Sequence, residues 1–392
     1  MTDTPRTVLH CFDDYLPNSE NWAFRLIRHV PRFHQAVAAH RFLDNDFYVP
    51  GIEYLRPPVQ LGALPRAGLR RLWRTAGAML GWIYPHYLRW RLRGRRIDVV
   101  HSHFGHVGWH YRGLARALGA LHVVSFYGLD YEFLPTREPR WRPRWQRLFA
   151  EADLLVCEGE HGAEVLARQG CPRHKLRVCR LGVEPARIGF LHRDKPPGTL
   201  RLLQVASFRE KKGHVFTARA FADAAPRCPG ATLTFVGSGD AGIVAEVRRI
   251  VADAGVQDRV RFVEQIDFAR LHDFMREYHV FIHPSTHTAL RDCEGGAPVV
   301  LLDAQATGMP VVSTLHCDIP GEVVDGSTGL LAPERDVAAL SAAIERFDRM
   351  AQAEYDGFCA RARAHVERNF DALECSARLA DVYSRAIEAR AR

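Results

Sequence analysis

Two carboxylates on a glycine-rich segment are the residues whose type and spacing point most directly to chemistry. Glu294 opens the run Glu294-Gly295-Gly296, and Asp303 follows with eight residues in between. A glycine, a proline and a β-branched run come next, which predicts a turn, a buried helix and a strand. The free N–H groups at such a helix start suit an anion such as a diphosphate, and the carboxylates can accept hydrogen bonds from sugar or ribose hydroxyls. An ordinary loop–helix–strand unit of an α/β protein would show the same pattern.

Lys212 is the candidate cation for a diphosphate. It precedes Gly213 and follows the predicted strand Leu202–Ala206. Its position between a buried strand and a helix start favours a functional cation over a surface charge. A surface lysine pair that caps a helix is the alternative interpretation.

A second glycine motif, Gly-x-Gly-x-x-Gly, begins at Gly237 and includes Gly239. It follows the predicted strand Thr232–Val236 and opens a helix. This pattern is typical of dinucleotide-binding domains, so a nicotinamide-dependent enzyme on two Rossmann domains is an alternative function.

Composition bounds the remaining classes of function. The chain has 392 residues, 47% of them hydrophobic, which suits two domains with buried cores. Nine scattered cysteines without a Cys-x-x-Cys pair indicate reduced thiols in a cytoplasmic protein and no metal site. The sequence shows neither a run of apolar residues long enough for a membrane span nor a signal-peptide pattern.

The net charge of +8 is concentrated in residues 66–96. Aromatic residues interleave with arginines there, a pattern that an anionic membrane surface attracts. A solvated helix face with a few core aromatics is an equal alternative. No nucleic-acid-binding module accompanies the patch, so we expect no nucleic-acid partner. The stretch contains Arg66, Arg70, Arg71, Arg74, Arg89, Arg91, Arg93, Arg95 and Arg96, with Trp73, Trp82, Ile83, Tyr84, Tyr87 and Trp90.

Strands and helices alternate in both halves, which predicts an α/β protein with parallel sheets. In the first half we expect a helix at Asn21–Ala39. The predicted domains are residues 1–188, 189–375 and a final helix, 376–392. The predicted strands are Val8–Phe12, Phe47–Val49, Asp98–His101, His122–Phe126, Leu154–Cys157, Leu176–Arg180, Leu202–Ala206, Thr232–Val236, Val260–Val263, Val280–His283 and Val311–Ser313.

These motifs resemble the retaining glycosyltransferases of family 4, which carry two glutamates with seven residues between them, a Lys-Gly pair and a Pro-Ser element such as Pro284-Ser285. The resemblance implies the GT-B fold, with two Rossmann-like domains whose parallel sheets face each other across a cleft. The final helix would cross back to the N-terminal domain. It also implies a UDP- or GDP-sugar donor, no metal, and a saccharide or lipid-diphosphate-linked saccharide as acceptor.

The resemblance also assigns site residues. Catalytic roles fall on Glu294, Lys212 and Tyr127. Donor contacts fall on Ser207, Arg209, Lys212, Gly237, Gly239, Gly295, Gly296 and Asp303, and acceptor contacts on Ser19, His103, Asp130 and Glu160.

Three positions depart from the family pattern. Ser207 stands where the family has Arg, with Arg209 as a substitute; Tyr127 replaces a His; and Asp303 replaces a Glu. A non-catalytic relative of these transferases, with decayed chemistry at these positions, is therefore a further alternative.

Overall fold

The computed structural model describes residues 6–15, 17, 21–44, 47–58 and 83–392. The chain forms two compact units: the described part of Met1–Leu181 together with Ala372–Arg392, and Gly182–Asp371. Among the described helices, none combines the length and apolar character that crossing a lipid bilayer requires.

Unit 1 contains a parallel sheet that, in the described residues, has seven strands in the order β3-β2-β1-β4-β5-β6-β7. The strands are short, apolar and mostly buried, as expected when helices cover both faces of a parallel sheet. They are β1 (Arg6–Tyr15), β2 (Phe33–Phe42), β3 (Glu53–Leu55), β4 (Val99–His103), β5 (Leu121–Phe126), β6 (Leu154–Cys157) and β7 (Leu176–Val178). The helices before unit 2 are α1 (Asn21–Arg28), α2 (residues 83–91), α3 (Gly105–Leu118), α4 (Leu134–Arg137), α5 (Trp141–Glu151) and α6 (Glu160–Arg168).

The predicted helix Asn21–Ala39 is wrong beyond Arg28. The chain turns at Pro31 and Arg32, and residues from Phe33 onward form β2 beside β1. Proline disfavours the helical conformation of the residue before it, and Arg32 has φ of 66°, which no right-handed helix accommodates. The strand predicted at Phe47–Val49 is also wrong, since the third strand of this region is Glu53–Leu55.

Unit 2 contains a parallel sheet of six strands within the described residues, in the order β10-β9-β8-β11-β12-β13. The chain runs outward from β8 and then returns to the other side of β8 at β11, which makes the β8/β11 junction a topological switch point. The strands are β8 (Arg201–Val205), β9 (Thr232–Val236), β10 (Val260–Val263), β11 (Val280–His283), β12 (Val311–Thr314) and β13 (Gly329–Ala332). The helices are α7 (His214–Ala224), α8 (Ala241–Asp253), α9 (Leu271–Phe274), α10 (Val300–Ala306), α11 (Ile319–Glu322), α12 (Val337–Arg349) and α13 (Gln352–Asn369).

The last helix, α14 (Ala372–Ala391), belongs to unit 1. Its Ser376 donates a hydrogen bond of 3.1 Å to the carbonyl oxygen of Leu26. Sequence analysis placed the boundaries at 188/189 and 375/376, whereas the units change at 181/182 and 371/372. The physical reason is that Val183 already pairs with Asp371 inside unit 2.

Candidate functional site

The turn that carries Lys212 is fixed by hydrogen bonds from two strands. The buried Gln204 on β8 donates from its amide to the Lys212 carbonyl over 2.7 Å. From beyond β11, the Thr286 N–H donates to the Lys211 carbonyl over 3.0 Å. Gly213 then starts α7 with φ of 70°, and a side chain there would overlap the carbonyl oxygen of Pro284. Only glycine fits this position, so the sequence Lys212-Gly213 follows from the close approach of the two strand ends.

Glu294 lies against this turn. Its side chain is 4% exposed, and its Oε2 accepts a hydrogen bond of 2.5 Å from Lys212 Nζ. The Ser285 hydroxyl donates to Oε1 over 3.0 Å, and His283 Nε2 lies 3.5 Å from the same oxygen. The structure therefore brings together Lys212 and Glu294, which sequence analysis predicted as catalytic, at the switch point of the sheet.

The charge of Glu294 is favoured despite its burial. Burial raises the pKa of this carboxyl, but the Lys212 ammonium and the hydrogen bond from His283 hold the pKa well below its usual range. Burial lowers the pKa of Lys212, and the Glu294 carboxylate opposes that effect. The two buried charges therefore stabilise each other.

Lys211, the neighbour of Lys212, has a different role. Its ammonium donates to Asp292 Oδ1 over 3.0 Å and to the Cys293 carbonyl over 2.8 Å. It therefore holds the loop that carries Glu294, and Lys212 is the lysine that reaches the carboxylate itself.

Ser207 and Arg209 are both exposed, while Phe208 between them is buried against the ring of His214 at a centroid distance of 4.0 Å. Arg209 forms no ion pair with any residue that the structure describes. Burial is the main cause that lowers the pKa of Lys212, and the positive charge of Arg209 adds a smaller lowering effect. A second cation therefore lies near Lys212, two residues beyond Ser207, which stands where the family has arginine. A donor contact by Ser207 or Arg209 stays a prediction.

Gly237 and Gly239 serve the packing of two strand-end turns. A side chain on either residue would overlap the backbone of Ala206 or Phe208, and the Phe208 N–H donates to the Ser238 carbonyl over 3.0 Å. Asp240 then caps α8, because its Oδ1 accepts from the N–H groups of Gly242 and Ile243. A carboxylate already occupies this helix start, so the glycine motif does not offer the phosphate cradle that a dinucleotide requires.

The segment after Glu294 carries three of the residues predicted to contact the donor, Gly295, Gly296 and Asp303. Gly295 has φ of 91°, and the Gly296 carbonyl accepts from the Asp318 N–H over 3.0 Å. Asp303 on α10 is 2% exposed and lies 2.9 Å from His272 Nε2. To accept a hydrogen bond from a ribose hydroxyl, the Asp303 carboxylate would have to share its contact with His272. Its role in binding the sugar donor stays a prediction.

In unit 1, Tyr127 and His103 form a buried hydrogen-bonded pair. The Tyr127 hydroxyl lies 2.9 Å from His103 Nδ1, and His103 Nε2 lies 3.0 Å from His10 Nδ1. Burial raises the pKa of Tyr127 well above its ordinary value. It lowers the pKa of His103 well below its ordinary value. Both side chains are neutral at physiological pH, so neither acts there as a strong base; their contact with an acceptor stays a prediction.

The remaining acceptor residues differ in exposure. Asp130 is fully buried, and its oxygens accept from the backbone N–H groups of Gly105, over 2.5 Å, and Tyr127, over 2.8 Å. It therefore positions the loop after β5. Glu160 is exposed in the first turn of α6. Ser19 lies outside the described residues.

Sequence analysis missed a carboxylate–imidazole cluster at the switch point of unit 1, between β1 and β4. Asp13 at the end of β1 contacts His106 Nε2 at 2.9 Å and His40 Nδ1 at 3.2 Å. Burial raises the pKa of Asp13, but the bonds to both imidazoles bring it well below its usual range. The three residues come from β1, β2 and α3, so only the sheet order, and no local motif, signals the cluster.

The basic stretch is described only from residue 83. Tyr84 and Leu88 on α2 are buried, whereas Trp90 is 65% and Ile83 is 49% exposed. The helix thus has core aromatics on one face and an exposed tryptophan on the other. Arg66, Arg70, Arg71, Arg74, Trp73 and Trp82 lie outside the described residues.

Comparison with known proteins decides between the predicted functions. Residues 19–187 match the family described as Glycosyltransferase Family 4, and residues 199–348 match the one described as Glycosyl transferases group 1. The amylovoran biosynthesis glycosyltransferase AmsK of Erwinia amylovora is 32% identical over 294 residues, which cover 74% of this chain and 70% of that protein. The chain belongs to glycosyltransferase family 4.

Solved structures agree with this family 4 assignment at the level of the fold. The sucrose-phosphate synthase of Thermosynechococcus elongatus is 19% identical with a TM-score of 0.76, covering 98% of this chain and 100% of that chain. Anabaena Alr3699/HepE in complex with UDP-glucose is 15% identical with a TM-score of 0.72, covering 96% and 99%. The predicted GT-B class is therefore confirmed, and this family 4 chain is a glycosyltransferase rather than a nicotinamide-dependent enzyme.

Proposed function

We propose that this chain transfers a sugar, with retention, from a UDP- or GDP-sugar to a saccharide or lipid-diphosphate-linked saccharide. The observation that carries the proposal is the buried Lys212–Glu294 pair at the switch point of unit 2, with an N–O distance of 2.5 Å. In open α/β sheets, ligands bind outside the carboxyl ends of the strands at such a point.

The donor diphosphate has two sources of positive charge there. Lys212 supplies an ammonium, and α7 begins directly after it at Gly213, which offers no side chain to cap the helix. The first N–H groups of α7 and the helix dipole favour an anion. Glu294, ionised and buried, is placed to accept hydrogen bonds from sugar hydroxyls. The UDP-glucose complex of HepE supports a sugar nucleotide as donor.

The acceptor class is inferred from relatives. AmsK acts in amylovoran biosynthesis. WcaL of Salmonella typhimurium, which is 32% identical over 295 residues covering 73% of this chain and 70% of that protein, is described as a colanic acid biosynthesis glycosyltransferase. Both relatives support a growing exopolysaccharide as acceptor. We assign acceptor binding to unit 1, where the Asp13 carboxylate and His106 add a hydrogen-bonded pair at the carboxyl edge of the sheet.

A direct test measures donor binding and product stereochemistry with the purified protein. Calorimetric titration with UDP, GDP and NAD should show binding of one nucleoside diphosphate and none of NAD. Proton NMR of the product should show the anomeric configuration of the donor. An inverted anomer would refute retention, and donor binding without hydrolysis or transfer to any saccharide acceptor would favour the non-catalytic alternative.

Transfer in this proposal needs no divalent metal, since Lys212 and the α7 N-terminus supply the positive charge. Activity should therefore persist in excess chelator. Activity that disappears in chelator and returns with magnesium or manganese would contradict this part of the proposal.

A cytoplasmic location with peripheral binding to an anionic membrane is also proposed, on the exposed Trp90 and the surrounding arginines. Each arginine near an anionic surface contributes about 1 kcal/mol, screened by salt. Co-sedimentation should rise with anionic lipid, fall with salt, and weaken in Trp90→Ala or when Arg70, Arg71 and Arg74 become Gln. Equal recovery with neutral and anionic vesicles would reject membrane binding and leave the transferase proposal intact.

A further inference from the structure

Two cysteines and two histidines converge in unit 2, on the segments that follow β11 and β12. The Cys317 sulfur lies 3.2 Å from His316 Nε2. A ring nitrogen of His287 lies within 4.8 Å of the Cys317 sulfur, and a ring nitrogen of the same residue lies within 4.8 Å of the Cys293 sulfur. The two imidazole rings are 4.5 Å apart between centroids. Thiolate sulfur and imidazole nitrogen are the ligands that zinc and similar soft ions prefer.

One carboxylate orients both imidazoles. Glu334 Oε1 lies 2.7 Å from His316 Nδ1 and 2.8 Å from His287 Nδ1. Because the carboxylate accepts, each Nδ1 carries the proton. The Glu294 N–H donates to His316 Nε2 over 3.1 Å, which requires a lone pair on that nitrogen. Around metal-bound histidines, a carboxylate commonly holds the proton on one ring nitrogen and leaves the lone pair of the other nitrogen to coordinate the ion. Glu334 can do the same here, with the proton on Nδ1 and the lone pair on Nε2.

The backbone and the thiols fit the same interpretation. Cys317 follows His316 directly and has φ of 46°, an uncommon conformation for a residue other than glycine that clusters at functional sites. A soft ion binds the thiolate rather than the thiol, so ion binding at this site would displace the thiol protons of Cys293 and Cys317.

We propose that Cys293, Cys317, His287 and His316 form a binding site for a soft divalent ion such as Zn²⁺, with Glu334 as the outer carboxylate. The sequence predicted no metal site because no two cysteines have ligand spacing along the chain, whereas these ligands come from separate segments. The proposed ligands are different residues from Lys212 and Glu294, which carry the transferase proposal. Ion binding at His316 Nε2 would displace the Glu294 N–H from that nitrogen, so the two positions are coupled.

The test uses Cd²⁺ and Co²⁺ as spectroscopic probes on the full-length protein, kept reduced with a phosphine. Cd²⁺ should produce the ultraviolet charge-transfer absorption of a cadmium–thiolate bond with one ion per chain, and Co²⁺ the visible bands of a tetrahedral complex. Absence of both signals in a protein whose thiols are fully titratable would overturn the proposal.

Variants separate this site from other thiols. The signals should disappear in the double variant Cys293→Ser/Cys317→Ser and persist in Cys171→Ser, which removes a buried thiol of unit 1. Glu334→Gln should retain both thiols but bind the ion roughly 10- to 100-fold more weakly. Undiminished signals in the double variant, or equal affinity in Glu334→Gln, would assign binding to other residues and refute the site.

Discussion

Glu294 carries a buried charge whose partners are Lys212, Ser285 and His283. Replacing it with Gln keeps the shape but removes the charge that faces Lys212. We expect Glu294→Gln to lower turnover at least tenfold, about 1.4 kcal/mol in activation free energy. Steady-state rates with the cognate sugar nucleotide check this, and the melting temperature shows whether the fold is kept. Unchanged turnover, with Asp303→Asn impaired instead, would move the role to Asp303.

Lys212 and Arg209 are the two cations at the turn after β8. Lys212→Ala should slow transfer and weaken binding of the free nucleoside diphosphate, because both the leaving group and the product carry the charge that Lys212 faces. Arg209→Ala serves as the comparison, since its side chain is exposed and has no ion-pair partner among the described residues. If Arg209→Ala causes both losses and Lys212→Ala causes neither, the assignment of the diphosphate cation is wrong.

At the scale of the elements, the close approach of β8 and β11 depends on Gly213. Gly213→Ala should destabilise the protein more than Gly255→Ala, by at least about 2 kcal/mol. Both glycines have positive φ, 70° and 66°, but a side chain at Gly255 meets nothing within 4 Å, whereas one at Gly213 overlaps Pro284. The difference between the free energies of unfolding of the two variants, measured with denaturant, isolates the cost of steric overlap from the cost of backbone strain. Equal losses would show that the strand ends can separate without cost.

The second half of the chain was predictable because each strand is a short apolar run bounded by turn residues. The strands Thr232–Val236, Val260–Val263 and Val280–His283 lie where the sequence placed them, and Lys212 and Glu294 meet as expected. The Ala-rich β2 was mistaken for helix, since buried parallel strands lack the alternation that marks exposed ones. The Asp13 cluster could not be predicted, because it depends on strand order rather than on spacing.

For the whole molecule, buried histidines make stability depend on pH. Burial lowers the pKa of His10 and His214 to about 3 and that of His122 to about 4. The unfolded chain binds these protons near pH 6.5, so the stability is fully present above that pH and falls as the pH drops toward the folded-state values. Each histidine should contribute a loss of about 1.4 kcal/mol per pH unit within that window.

Chemical unfolding between pH 7.5 and 5.5 measures this slope. His122→Asn, which removes one such group, should give a shallower slope than the unsubstituted chain. A free energy of unfolding that is flat or rises as the pH falls through 6.5 would contradict the prediction. The buried Glu294 and the clustered Asp13 act in the same sense as the histidines, but only as the pH falls below the ordinary carboxyl pKa, since their folded pKa values are also lowered.

The course of the chain through its two units has a consequence for biosynthesis. The described strands of unit 1 are synthesised before unit 2, whereas the helix α14, which also belongs to unit 1, is synthesised after unit 2. Tyr383 on α14 lies 2.5 Å from His101 Nδ1, across a separation of 282 residues. At typical translation rates, the whole of Gly182–Asp371 takes roughly 10–40 s to synthesise. Nascent unit 1 must therefore keep the surface that later receives α14 open for that time, and the unit made first is the one completed last.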